Sequence, residues 1–197
     1  MENTIFFPSG GFRLKGLYHP GGEKGAVITH PHPLYGGDMN NIVVETLAMA
    51  YQRKGYATLR FNFRGTGDSG GSHDNGVGER EDVRAACAFL MDEGVREIDL
   101  AGYSFGAWVN AHTGCAGIER MVMVSPPVNF LDFADVAAIP CLTLVIGGDD
   151  DEFGDAARIR QMARHWSPRA RCELIAETDH FYSGALRELE EILAQSL

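Results

Sequence analysis

The chain is short of positive charge: 17 Lys and Arg stand against 27 Asp and Glu, a formal net charge of −10. A nucleic-acid surface needs clustered Lys and Arg to meet phosphates, and anionic lipid makes the same demand. Neither partner fits this composition. Long apolar runs are also missing, since no stretch approaches the roughly 20 residues that a membrane span requires. The opening stretch from Met1 to Pro8 does not join a basic region to a long apolar run, so it does not read as a signal peptide. Cysteine is sparse. Cys87, Cys115, Cys141 and Cys172 lie far apart with no C-x-x-C pair. That spacing predicts reduced, mostly buried thiols in a cytoplasmic protein, with no metal or redox centre built on them.

What remains is an ordinary globular composition. A length of 197 residues bounds the chain to one domain over 1–197, large enough to bury most of its apolar surface. No internal repeat, low-complexity tract or linker divides it.

Strand-like and helix-like stretches alternate. Thr4–Pro8 and Phe12–Tyr18 are joined at Ser9-Gly10-Gly11 and predict a hairpin. Gly25–His30, Tyr56–Asn62, Glu97–Tyr103, Met121–Ser125, Cys141–Ile146 and Arg171–Ile175 follow as predicted strands. Between them lie predicted helices over Asn40–Lys54, Glu79–Met91, the residues after Ser104, and Ala156–Trp166; Gly184–Gln195 closes the chain. Such alternation predicts an α/β fold: a mainly parallel sheet of about seven to eight strands with helices on both faces. In such sheets ligands sit at the carboxyl ends of the strands, which singles out His30–Gly37, Arg64–Gly71, Ser104, Gly147–Phe153 and Asp179–Tyr182.

Gly102-Tyr103-Ser104-Phe105-Gly106 falls between a predicted strand and a predicted helix. Gly-x-Ser-x-Gly in that setting is a nucleophile elbow, a turn so sharp that only glycines clear the space two residues either side of the serine. A serine hydroxyl needs a base to take its proton as it attacks, and the base needs an acid to orient it. Both residue types lie downstream. Asp149-Asp150-Asp151-Glu152 ends one predicted strand, and Asp179-His180 follows another.

Together with His30-Pro31-His32-Pro33-Leu34-Tyr35-Gly36-Gly37 and Arg60-Phe61-Asn62-Phe63-Arg64-Gly65-Thr66-Gly67, these segments resemble the α/β-hydrolases over the whole chain. The similarity is to the small group without a cap domain, distantly similar to dienelactone hydrolase. The resemblance implies Ser104 as nucleophile, His180 as general base and then acid, and Asp151 as orienting acid, with Asp149 the next choice. Phe153-Gly154-Asp155 departs from the valines that relatives usually carry after the acid.

Phe105, just after the serine, supplies one oxyanion N–H by position. Pro31 and Pro33 have no N–H, which leaves His32 or Leu34 for the second, and the resemblance favours Leu34. Tyr35, Phe130 and Phe133 are candidate substrate-binding residues, whereas Trp108 fits core packing. The implied activity is a serine hydrolase for small or short-acyl carboxylic esters, with no metal or organic cofactor. Thioester, amide or acyl-transfer chemistry on the same residues is the alternative, as is a non-catalytic binding protein of hydrolase shape. Monomer and homodimer are both left open.

Other features have blander readings. His30 and His32 have no carboxylate at fixed spacing to complete a metal site, so their rings are expected to pin the loop. His19, His73, His112 and His165 have no partner apparent in the sequence. Gly65-Thr66-Gly67-Asp68-Ser69-Gly70 matches G-x-G-x-x-G, but no helix starts at once and no acid ends the next strand. Nucleotide binding is therefore rejected, the loop is expected to buttress the site, and Arg64 is expected to anchor it.

Overall fold

In the computed structural model, which describes residues 1–197, eight strands form one sheet in the order β1-β2-β4-β3-β5-β6-β7-β8. They are β1 (Asn3–Ser9), β2 (Phe12–His19), β3 (Lys24–Thr29), β4 (Ala57–Phe61), β5 (Glu97–Tyr103), β6 (Arg120–Val124), β7 (Leu142–Gly148) and β8 (Arg171–Ile175). β1 pairs antiparallel with β2, and β2 antiparallel with β4; every other pairing is parallel. The predicted hairpin therefore forms one edge of the sheet, and the parallel strands carry their carboxyl ends to a common rim.

The helices are α1 (Ile42–Arg53), α2 (Val77–Asp92), α3 (Phe105–Thr113), α4 (Ala156–Trp166) and α5 (Leu186–Ser196). The central strands are buried on both faces, which is why β4 is buried at every position. One face packs on α2, α3 and α4 through residues such as Val83, Leu90, Val109, Ile159 and Trp166. The other packs on α1 and α5 through Val44, Leu47, Tyr51, Leu189 and Leu193. No helix is long and apolar enough to cross a membrane.

The cysteines correct the expectation of four reduced thiols, because Cys115 and Cys141 are joined in a disulfide. Cys115 follows α3 and Cys141 precedes β7. Their separation of 26 residues hid a contact made when β6 brings the two segments together, with a Cα–Cα distance of 5.7 Å. The pairing also removes the cysteine argument for a cytoplasmic setting. Cys87 and Cys172 are free. Burial pushes the Cys87 thiol up to about 12, which makes it inert at neutral pH.

Candidate active site

The turn from β5 into α3 holds Ser104 at φ 54° and ψ −117°, a left-handed conformation that few non-glycine residues adopt. The flanking glycines are required by space. A Cβ on Gly102 would lie 2.6 Å from Asn110 Nδ2 and 2.7 Å from the Ala107 nitrogen. One on Gly106 would lie 2.5 Å from the Thr29 carbonyl oxygen. The serine hydroxyl is thereby lifted over the rim of the sheet at the start of a helix.

The end of β7 supplies the acid. Asp151 accepts the Phe153 N–H (2.9 Å) and the Gly154 N–H (3.1 Å) on Oδ1, which fixes its carboxylate. Its side chain is fully buried, whereas Asp149, Asp150 and Glu152 are exposed. His180 arrives on the loop after β8. Its Nδ1–H donates to Asp151 Oδ1 (2.9 Å) and Oδ2 (2.8 Å), and its Nε2 lies 2.9 Å from Ser104 Oγ. The three side chains thus form a continuous hydrogen-bonded series. In that geometry Nε2 can accept the hydroxyl proton while Asp151 stabilises the cation opposite.

The loop carrying His180 is itself held. Asp179 accepts the backbone N–H groups of Ser183 and Phe181, both at 3.0 Å, and these bonds, that of Ser183 foremost, hold its carboxyl below the usual range. The Tyr103 hydroxyl donates to the His180 carbonyl oxygen at 2.8 Å. The His180 ring packs against Phe153, with ring centroids 4.7 Å apart.

On the far side of Ser104 lies the loop after β3, containing the 3₁₀ turn Pro33–Tyr35. His30 is completely buried. Its Nδ1–H donates to the Pro31 carbonyl (2.7 Å) and its Nε2 accepts the Phe63 N–H (3.0 Å), which fixes one neutral tautomer. Burial lowers its pKa to about 4. The His32 ring accepts the Leu34 N–H on Nδ1 at 3.3 Å and packs 4.7 Å from the Phe105 ring. Its own pKa is lowered, first by burial and then by His73. Both rings pin the loop.

This loop corrects the choice of Leu34 as second oxyanion donor. Its N–H is engaged by His32, its side chain points outward, and it does not line the cavity at Ser104. The backbone N–H groups of His32 and Phe105 have no partner in the chain, and both residues line that cavity. The 3₁₀ turn decides this point, and it carries no strong signal in the sequence.

The Gly-rich loop after β4 is a buttress. Asp82, fully buried on α2, accepts the Arg64 backbone N–H (3.0 Å), Arg64 Nη2 (2.8 Å) and the Ser9 hydroxyl (2.7 Å). That bonding raises the Arg64 pKa above its ordinary value, and the guanidinium stays a cation inside the loop.

The cavity over Ser104 has a volume of about 410 Å³. Tyr35 and Phe130 line it, as the sequence suggested; Phe153, Phe181, Leu131 and Pro127 line it without having been singled out. Phe133 does not. It is buried in the core against Trp166, with centroids 4.9 Å apart, because Trp166 ends a helix that the sequence cannot place beside it. Trp108 packs on Phe105 and donates its Nε1–H to the Asp132 carbonyl (2.6 Å), outside the cavity.

The same architecture occurs in known proteins. A serine hydrolase homologue from Coxiella burnetii is 34% identical, with a TM-score of 0.92 over 99% of this chain and 97% of its own. A serine hydrolase without a lid from Xanthomonas campestris is 28% identical, with a TM-score of 0.91 over 99% and 93%. The chain belongs to the lid-less α/β-hydrolases. An uncharacterised protein of Rickettsia prowazekii (strain Madrid E) is 32% identical to this hydrolase, over 96% of this chain and 86% of its own. No protein-family model matches the chain. In this hydrolase the segment between Val124 and Leu142 packs beside the site through Phe130 and Leu131 and forms no cap.

Proposed function

We propose that the protein is a serine carboxylesterase acting on esters with a small or short acyl group. Ser104 Oγ attacks the carbonyl carbon as its proton passes to His180 Nε2. The oxygen, now negative, is held by the N–H groups of Phe105 and His32. Collapse of the tetrahedral species breaks the bond to the alcohol oxygen, which leaves with the proton from His180. Water then attacks the acyl-enzyme, giving its proton to His180, and the carboxylic acid departs as Ser104 regains its hydrogen.

The observation that carries this reading is the unbroken series Asp151–His180–Ser104 at the floor of an aromatic cavity. The cavity volume of about 410 Å³ lies at the small end of ligand pockets, which supports short acyl groups over long lipid chains.

A fluorophosphonate probe tests the assignment. Ser104 is expected to be labelled in the folded protein, with no labelling in Ser104→Ala and slow labelling in His180→Ala. A panel of acetyl to decanoyl esters, with matched thioesters and amides, tests the substrate class. Unreactive folded protein, or preference for long chains, would overturn the proposal.

A further inference from the structure

A second cleft lies on the other side of the His-Pro loop, with a volume of about 730 Å³. It meets the cavity over Ser104 at Gly36 and Gly37, which line both. Its chemistry is the opposite. Apart from Pro33 and Leu34, its walls are glycine backbone and the polar side chains of Asp38, Thr66, Ser72, His73 and Asn75. Thr66 is more than nine-tenths buried, and its Oγ1 has no hydrogen-bond partner in the chain.

His73 is set into this cleft by a group that the hydrolytic mechanism does not use. The Glu79 carboxylate is fully buried, and its two oxygens accept the backbone N–H groups of Asp74 (2.9 Å) and Gly76 (2.8 Å). His73 Nδ1 is buried and lies 2.8 Å from Glu79 Oε1, an ion-pair distance without hydrogen-bond geometry. Nε2 is then the ring nitrogen left for a ligand. The ring packs 5.6 Å from Phe105 and 5.0 Å from His32, the two residues whose N–H groups flank the reacting carbonyl in the proposed mechanism.

We infer that this cleft is a subsite for the hydroxylated alcohol part of an ester, a polyol or sugar; the inference rests on the reading of Ser104 as an ester-cleaving nucleophile. An anionic group would meet the Asp38 carboxylate and a chain of net charge −10. A purely apolar alcohol would leave the imidazole, amide and hydroxyls unpaired, at a cost in desolvation. Neighbouring hydroxyls both donate and accept, so they match a wall holding a carboxylate acceptor, a ring nitrogen, an amide and two hydroxyls. The substrate that fits both cavities has a compact apolar acyl group on one side of the carbonyl and a polar, hydroxyl-rich group on the other.

Two measurements test this. Turnover of 6-O-butyrylglucose is compared with that of ethyl butyrate, which has the same acyl group. The ratio of their kcat/KM values should be at least about tenfold in favour of the sugar ester, the effect of two or so net hydrogen bonds. It should fall towards one in His73→Ala, and also in Ser72→Tyr, which fills the cleft from an exposed position and does not disturb the core. A ratio of one in the wild type, or a ratio unmoved in both variants, overturns the subsite. Binding of methyl glucoside to the wild-type protein is read separately by saturation-transfer NMR. A signal lost in Ser72→Tyr supports the cleft, and no signal in the wild type overturns it. Glucoside binding without turnover of either ester would sink the ester-cleaving reading and the assignment of the cleft to an ester's alcohol group, leaving only a polyol-binding cleft.

Discussion

The hydroxyl of Tyr103 donates to the main-chain carbonyl of His180 at 2.8 Å, so the strand that leads into Ser104 also fixes the loop that carries its partner. Burial pushes the Tyr103 phenol up, so it stays protonated and remains a donor. Tyr103→Phe keeps the ring and leaves a buried carbonyl unpaired, a change of roughly 1–3 kcal/mol. Steady-state kinetics on a short ester should show kcat down by about three- to tenfold with KM little changed. A drop in KM affinity alone would mean the hydroxyl contacts substrate and does not position His180.

His30 makes stability depend on acid. Its folded pKa of about 4 lies below the unfolded value of 6.5, so the unfolded chain binds more protons between those limits. The neutral ring contributes its full stabilisation above pH 6.5, and this is lost as pH falls towards 4. The loss amounts to about 3 kcal/mol. Melting temperature measured from pH 7 to pH 4 should therefore decline, and the decline should be shallower in His30→Gln, whatever that variant's starting stability.

Removing Asp82 strands the Arg64 guanidinium inside the protein, where its remaining ionic partner is the exposed Glu81. Breaking a buried pair from one side costs about 3–5 kcal/mol. Asp82→Ala is expected to lower Tm by roughly 10 °C, and Asp82→Asn by less, because the amide still accepts from Arg64 and Ser9. An unchanged melting curve for Asp82→Ala would show that the Gly-rich loop is held by other contacts.

The Cys115–Cys141 bridge closes a loop of 26 residues. Loop-closure entropy of the unfolded chain then gives a stabilisation of about 3.5 kcal/mol. Guanidinium titrations of the oxidised protein and of Cys115→Ser/Cys141→Ser should differ by an amount of that order. Coincident curves would mean that the segment after α3 is ordered without the bond.

Much of this fold was legible because its signals are local. β8 and α4 fall on their predicted bounds, and the Gly-x-Ser-x-Gly turn announces its own shape. The residues alone left a row of four acids open, and the resemblance to the α/β-hydrolases pointed to Asp151, whose carboxylate the structure turns inward to His180. What stayed hidden depended on contacts across the chain. Phe133 and Phe130 look alike in sequence, yet one meets Trp166 in the core and the other turns towards Tyr35 over the site. Leu34 lost its expected role to a hydrogen bond from its own N–H to a ring two residues earlier. His73 gave no sign of its alliance with Glu79, six positions on and already inside a helix.

The segment between β6 and β7 runs beside Ser104 with Phe130 exposed on it, and it carries no helix or strand that could cap the proposed ester site. Turnover should therefore follow the amount of dissolved ester smoothly. No surge is expected at the concentration where a substrate begins to form micelles, and an oil–water boundary should offer no advantage over free solution.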